Sequence, residues 1–91
     1  MKEIEKRTED LFNMYYDNIH VYSRLATFYA EQQSEKEEMR MNNEFLTRRT
    51  IFFNTIQVAY GLTDDEIALF RKTIEQLADR KRSAERMIDD E

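Results

Sequence analysis

The sequence has no cysteine, no proline and one glycine in 91 residues. Without cysteine, the chain has no disulfide framework, no thiolate nucleophile and no Cys-ligated zinc. Because glycine and proline punctuate most turns, their scarcity argues against sandwiches, barrels and glycine-rich phosphate-binding loops. We therefore expect an all-α fold. We also expect residues 1–91 to form one domain, because a chain of this length has no room for a second core.

Long apolar runs and catalytic residue pairs are scarce as well. The longest apolar runs, Ile51–Phe53 and Ile67–Phe70, fall far short of the ~20 residues that cross a bilayer. Residues 1–10 are charged along their whole length, so we expect no signal peptide, no membrane partner and a cytoplasmic location. The chain has one histidine, and no serine stands at a recognisable spacing from it. We therefore expect no enzyme activity and no cofactor.

What the sequence does contain is charge and a moderate apolar fraction. Charged residues make up 36% of the chain, and the formal net charge is −5. Leu, Ile, Val and Phe together number 21, which is enough for the chain to fold. The mild acidic balance disfavours polyanions, so nucleic acid is not the expected partner.

Two segments carry the signals that end one helix and start the next. Ser34 and Glu37 have the spacing of a capping box. Gly61 suits the left-handed residue that follows a helix, and Thr63 and Glu66 form a second capping box just after it. A single helix running through Ser34 is the alternative to the first break.

These signals predict three helices, at roughly residues 3–32, 35–60 and 64–88. Similar helix lengths joined by short links favour an antiparallel three-helix bundle.

The first predicted helix is apolar over an unusually wide arc. Its polar strip, which includes Asp17, His20 and Arg24, is narrow. An ordinary bundle helix buries an arc of a little over ~100°, whereas this arc exceeds roughly 200°. Its main stripe alternates spacings of four and three residues: Ile4, Thr8, Leu11, Tyr15, Asn18, Tyr22, Leu25 and Tyr29. Two partner helices cannot cover the whole arc.

The uncovered apolar surface predicts a homodimer. In an antiparallel hairpin, Met14 lies level with residues 51–53 and Val21 lies level with Leu46. Left exposed, such side chains would form a larger apolar patch than soluble monomers usually tolerate. Asn18, in the middle of the main stripe, either fixes the register of the dimer or bonds locally. The expected dimer or partner interface has nine residues: Met14, Tyr15, Asn18, Val21, Tyr22, Leu25, Phe28, Ile51 and Val58.

Basic residues collect along the third predicted helix. Their excess suggests a second hypothesis, a nucleic-acid-associated regulator that uses this face. The more usual interpretation is a solvated face whose cations suit the helix dipole, and no aromatic side chain is interleaved for base stacking. The possible basic patch comprises Arg71, Lys72, Arg80, Lys81, Arg82 and Arg86.

A third hypothesis is a metal-binding bundle. Asp17 and His20 have the spacing of the carboxylate–imidazole pairs that hold metal in helical bundles. Both residues lie on the polar strip, however, away from the apolar stripe. We therefore expect a solvated surface there and no metal ion.

The leading hypothesis follows from the apolar surface. It is a small helical protein-interaction module of bacterial or phage type, which forms a homodimer and regulates or inhibits a larger, unidentified partner protein.

Overall fold

The computed structural model describes residues 3–89, with side chains described as far as Arg86. Every regular element in this range is helical, and it contains no strand, so the predicted all-α class is confirmed. No helix in this range is both long and apolar enough to cross a membrane. The elements are α1 (Glu3–Lys6), α2 (Thr8–Tyr15), a π-helical segment (Tyr16–His20), α3 (Val21–Glu31), α4 (Glu35–Tyr60) and α5 (Asp64–Asp89).

The first predicted helix, residues 3–32, is not one regular helix. Arg7, with φ −105° and ψ 4°, separates α1 from α2. The π-helical segment then interrupts the α-helical pattern between α2 and α3. The second and third predicted helices agree with α4 and α5 to within a residue at each end.

Residues 3–31 form the first helical stretch, and the π-helical segment changes which side of this stretch is buried. A π-helical turn holds one residue more than an α-helical turn. This extra residue rotates the residues that follow it by about 100° around the helix axis. The buried face therefore passes from Leu11 and Tyr15 to Ile19 and Ala26, instead of to Asn18 and Leu25. Asn18 and Leu25 are exposed, so the predicted main stripe is wrong at these two positions, whereas its later members Tyr22 and Tyr29 are half-buried.

Side chains complete the hydrogen bonding beside the π-helical segment. The Asn18 Nδ2 amide donates to the Met14 carbonyl oxygen at 3.0 Å. The Arg24 Nη2 group donates to the Tyr16 carbonyl oxygen at 2.9 Å. These bonds occupy carbonyl oxygens where the regular α-helical bonding is interrupted.

The turn after α4 forms as predicted. Gly61 adopts φ 63° and ψ 40°, the left-handed conformation. The Leu62 N–H donates to the Gln57 carbonyl at 2.9 Å, which is the long bond of a Schellman motif. Thr63 and Glu66 then form the predicted capping box, with reciprocal bonds of 2.9 and 3.2 Å.

The turn after α3 uses the same motif without glycine. Gln33 adopts φ 58°, and the Ser34 N–H donates to the Tyr29 carbonyl at 2.9 Å. The helix therefore ends here, and the alternative of one continuous helix is wrong. Ser34 does precede α4, but its side chain makes no cap bond, and Glu37 pairs instead with Arg40 at 2.6 Å.

Bulky aromatic side chains fill the centre of the molecule. Tyr15, Tyr16, Phe53 and Ile74 are the largest fully buried side chains. They come from α2, the π-helical segment, α4 and α5, so all three long helical stretches meet in one core. On α5 the buried face runs through Ile74 and Ala78, whereas Ala84 is exposed.

Candidate protein-interaction surface

A groove of about 660 Å³ opens between the first helical stretch and α4. Arg48 is the only charged residue among those that line it. The Arg48 guanidinium already bonds to Glu44 at 2.9 Å and lies 4.9 Å from the centroid of the Tyr22 ring. The lining of this α4 groove comprises Leu11, Met14, Asn18, Ile19, Arg48, Ile51, Phe52, Thr55, Ile56, Ala59 and Tyr60.

Three of the predicted interface residues form an exposed apolar rim at this groove. Met14 and Ile51 line it and are 50% and 60% exposed. Val58, seven residues after Ile51 and so on the same side of α4, is 83% exposed. The rim and the groove together form an apolar surface that none of the described residues covers.

The other predicted interface residues lie in varied surroundings. Leu25 and Phe28 are exposed on α3, while Val21 and Tyr22 are half-buried. Asn18 lies on the groove wall, where its amide is bonded to its own helix. Of the two roles considered for Asn18, fixing the register of a dimer or bonding locally, this bond corresponds to the local one.

Tyr15 belongs to the core and not to the surface. Its side chain is 1% exposed, and its ring lies 5.7 Å from that of Phe53. Burial first, and the nearby Glu75 carboxylate second, raise the pKa of the Tyr15 hydroxyl to about 12. Tyr15 is therefore removed from the proposed interface, because it has no surface to offer a partner.

The possible basic patch does not present six free cations. Arg71 lies over the Phe53 ring, 5.3 Å from its centroid, and the Lys81 ammonium lies 4.5 Å from the centroid of Tyr16. Arg82 is half-buried, and the remaining members, Lys72, Arg80 and Arg86, are exposed. Part of the positive charge therefore packs on aromatic rings of the chain itself.

His20 occupies a buried position that the sequence pattern did not reveal. It is 9% exposed, its ring stacks on Tyr16 with centroids 5.1 Å apart, and Phe45 meets it edge-on. Nδ1 has no hydrogen-bond partner among the described residues. Burial lowers the pKa of His20 below its ordinary value of 6.5, and the Arg24 guanidinium lowers it further.

A small cavity of about 240 Å³ lies beside His20. The Arg49 Nη1 group bonds to Glu75 there at 3.2 Å, which joins α4 to α5. The expected placement of His20 and Arg24 on a solvated strip is wrong, because the π-helical segment rotates both toward α5. Arg24 lies 4.3 Å from the Tyr16 ring centroid and within 4.0 Å of Glu85.

Asp17 and His20 lie in different environments in the structure and not together on one solvated strip. Asp17 is exposed, whereas His20 is buried. Within the described part of the chain, no group of three or more His, Cys, Asp or Glu residues is arranged to hold a metal ion.

Comparisons with known proteins give no relative from which a function could be transferred. No protein-family model matches the chain, and neither curated proteins nor solved structures gave a significant match.

Proposed function

We propose that this chain is a protein-interaction module that pairs with a second copy of itself through the α4 groove and regulates or inhibits a larger partner protein. The observation that supports the proposal is the groove of about 660 Å³ with its exposed rim of Met14, Ile51 and Val58. Contiguous apolar surface of this kind usually marks an interaction site.

The chemistry of the α4 groove favours a second copy as its occupant. Because the charge of Arg48 is already paired, an occupant needs to bring apolar surface and no compensating acid. The rim of this same face supplies such surface, since Ile51 and Val58 project next to the small side chains Thr55 and Ala59. The groove and the groups that could fill it therefore lie on one face.

A two-fold axis passing near Thr55 makes this face self-complementary. Ile51 precedes Thr55 by four residues, and Ala59 follows it by four. In an antiparallel pairing of α4 with its copy, each Ile51 then meets the partner's Ala59. Such an isologous contact closes on itself and leaves no open apolar surface to propagate.

The expected energy is sufficient for stable pairing. Burying 600–800 Å² of apolar surface, at roughly 25 cal/mol per Å², contributes on the order of 15–20 kcal/mol before association entropy is subtracted. In the same proposal the three long helical stretches act as an antiparallel three-helix bundle, and the dimer joins two such bundles.

Sedimentation equilibrium on the double variant Ile51→Glu/Val58→Glu tests the proposal. We expect the wild type to sediment as a dimer at tens of micromolar. The double variant should sediment as an 11.1 kDa monomer with unchanged helical circular dichroism, because both side chains are exposed in the single chain.

Asn42→Glu is the matched control. Asn42 is also exposed on α4, but it stands nine residues before Ile51, on the opposite side of the helix. This variant should remain a dimer. A monomeric wild type, or equal dissociation of both variants, would overturn pairing through the α4 groove.

A further inference from the structure

A second apolar cavity, separate from the α4 groove, lies on the other side of the first helical stretch. It has a volume of about 280 Å³ and lies between α1–α2 and α5. Ile4, Leu62 and Phe70 give it an apolar lining, and all three also belong to the core cluster. Leu69 completes the lining and is 67% exposed, so the apolar surface continues outward from the cavity.

Polar groups inside this cavity are already bonded. The Thr8 hydroxyl donates to the Ile4 carbonyl at 3.1 Å, and the Thr73 hydroxyl donates to the Leu69 carbonyl at 3.0 Å. Neither hydroxyl proton remains for a ligand. The occupant that suits this cavity is therefore an apolar side chain.

The surroundings of the cavity are strongly acidic. Glu5 and Glu66 line its edge. The two segments that line it, residues 3–10 and 61–73, carry seven carboxylates and four cations. Their net charge of −3 is more than half of the whole chain's net charge of −5, so the acidity of the protein is concentrated at this end. Arg7, one of the four cations, is paired with Asp10 at 3.7 Å.

We propose that this acidic cavity binds a basic amphipathic helix of a partner protein. One bulky apolar side chain of that helix fills the cavity and covers Leu69, as a buried anchor does at many interfaces. Lysine or arginine residues flanking the anchor lie against the carboxylates of α1 and of the first turn of α5. The same charge distribution repels nucleic acid from this end.

The acidic cavity and the α4 groove are expected to bind different partners. The α4 groove offers no unpaired charge, whereas the acidic cavity selects a cationic partner. The proposal does not rest on dimer formation, because the cavity is formed by one copy. It gives the module a means of recognising the larger protein that it regulates.

Fluorescence anisotropy with a labelled peptide tests the proposal on the full chain. The probe is an amphipathic helix of leucine and lysine, about 18 residues and five turns long. A matched peptide with glutamate in place of lysine is the charge control. We expect the lysine peptide to bind with an affinity that falls as salt rises, and the glutamate peptide not to bind.

Variants locate the binding site. Leu69→Ala and Glu5→Lys should each weaken binding of the lysine peptide by about tenfold or more, with helical circular dichroism unchanged since both residues are exposed. Ile51→Glu/Val58→Glu, which changes the α4 groove, should bind the peptide as the wild type does. Equal binding of both peptides, no effect of Leu69→Ala or Glu5→Lys, or loss of binding in the α4 groove variant would overturn the proposal.

Discussion

Gln33 and Gly61 occupy the same position in two turns of the same type. Each is the left-handed residue that ends a helix, with φ of 58° and 63° respectively. Glycine adopts this conformation without cost, whereas a side chain adds roughly 1–2 kcal/mol of steric strain there. Of the two turns, only the one with glycine gave a strong signal in the sequence.

Exchanging the two residue types should change stability in opposite directions. We expect Gln33→Gly to raise the free energy of unfolding by about 1 kcal/mol, because it removes left-handed strain. Gly61→Ala should lower it by about 1 kcal/mol, even though an added Cβ has no atom within 4 Å. Urea denaturation of both variants measures the effect, and a stabilised Gly61→Ala variant would contradict the turn geometry.

His20 should make stability depend on pH below neutrality. Its folded-state pKa is lowered by burial from the unfolded value of 6.5. Stability is therefore full above pH 6.5 and is lost as the pH falls from there through the folded-state pKa, because the unfolded chain binds the proton first. The charged groups that influence this pKa from nearby are Arg24, Asp79, Arg82 and Glu85.

A comparison with His20→Gln isolates this effect from other titrating groups. Glutamine carries no proton that titrates in this range. The free energy of unfolding of the variant should therefore fall less than that of the wild type between pH 7 and pH 5. Parallel curves for the two proteins would mean that His20 is not responsible.

At the scale of elements, the π-helical segment is the main departure from the sequence pattern. With a constant helical period, Ile4, Leu11 and Tyr15 lead to Asn18, Tyr22 and Leu25 as the buried face. The inserted residue moves that face to Ile19 and Ala26. The first stretch looked apolar over more than 200° because two successive faces, rotated against each other, had been projected onto one helix.

Deleting one residue from the π-helical segment should convert it to regular α-helix. Because the inserted residue is then gone, we expect the buried faces of α2 and α3 to stay in contact with the core. Asp17 is the residue to remove, because it is exposed and lies inside the π-helical segment. We expect the deletion variant to remain folded, with a melting temperature within about 5 °C of the wild type.

Deletion of Thr27 is the control for this prediction. Thr27 is also exposed, but it lies in the regular helix α3. Its loss rotates the following residues out of phase with α4, so the melting temperature should fall by about 10 °C or more. Equal losses in the two deletion variants would show that the π-helical segment does not hold an inserted residue.

At the scale of the whole molecule, the fold is too thin to bury all of its apolar side chains. Its extents are 45 × 31 × 18 Å, so many apolar side chains lie near a surface. The large apolar side chains left exposed on α4 are Met39, Leu46, Ile51 and Val58. The apolar excess identified in the sequence therefore persists after folding, although some of its members, such as Tyr15, are used in the core.

If pairing through the α4 groove covers this excess, thermal unfolding should depend on concentration. The wild-type melting temperature should rise by a few degrees for each tenfold increase in protein concentration, because dissociation accompanies unfolding. Val58→Glu should melt at a lower temperature that does not change with concentration. Differential scanning calorimetry over a hundredfold concentration range measures both, and a constant wild-type value would contradict pairing.

The sequence by itself determined the helical class and the turn where α4 ends and α5 begins. These features depend on bonds between residues close together in the chain, such as those of Gly61, Thr63 and Glu66. The exposure of Met14, Ile51 and Val58 also followed from the sequence, because helical spacing placed them off the main stripe of each helix.

Only the tertiary structure decided the register within the first stretch and, with it, the position of His20. A π-helical turn is locally less favourable than an α-helical one, so no local signal announces it. It forms where packing with residues distant in sequence outweighs that cost, here Phe45 on α4 and Ala78 on α5. Which of two apolar faces becomes the core is thus a property of the assembled helices, and the other face stays exposed.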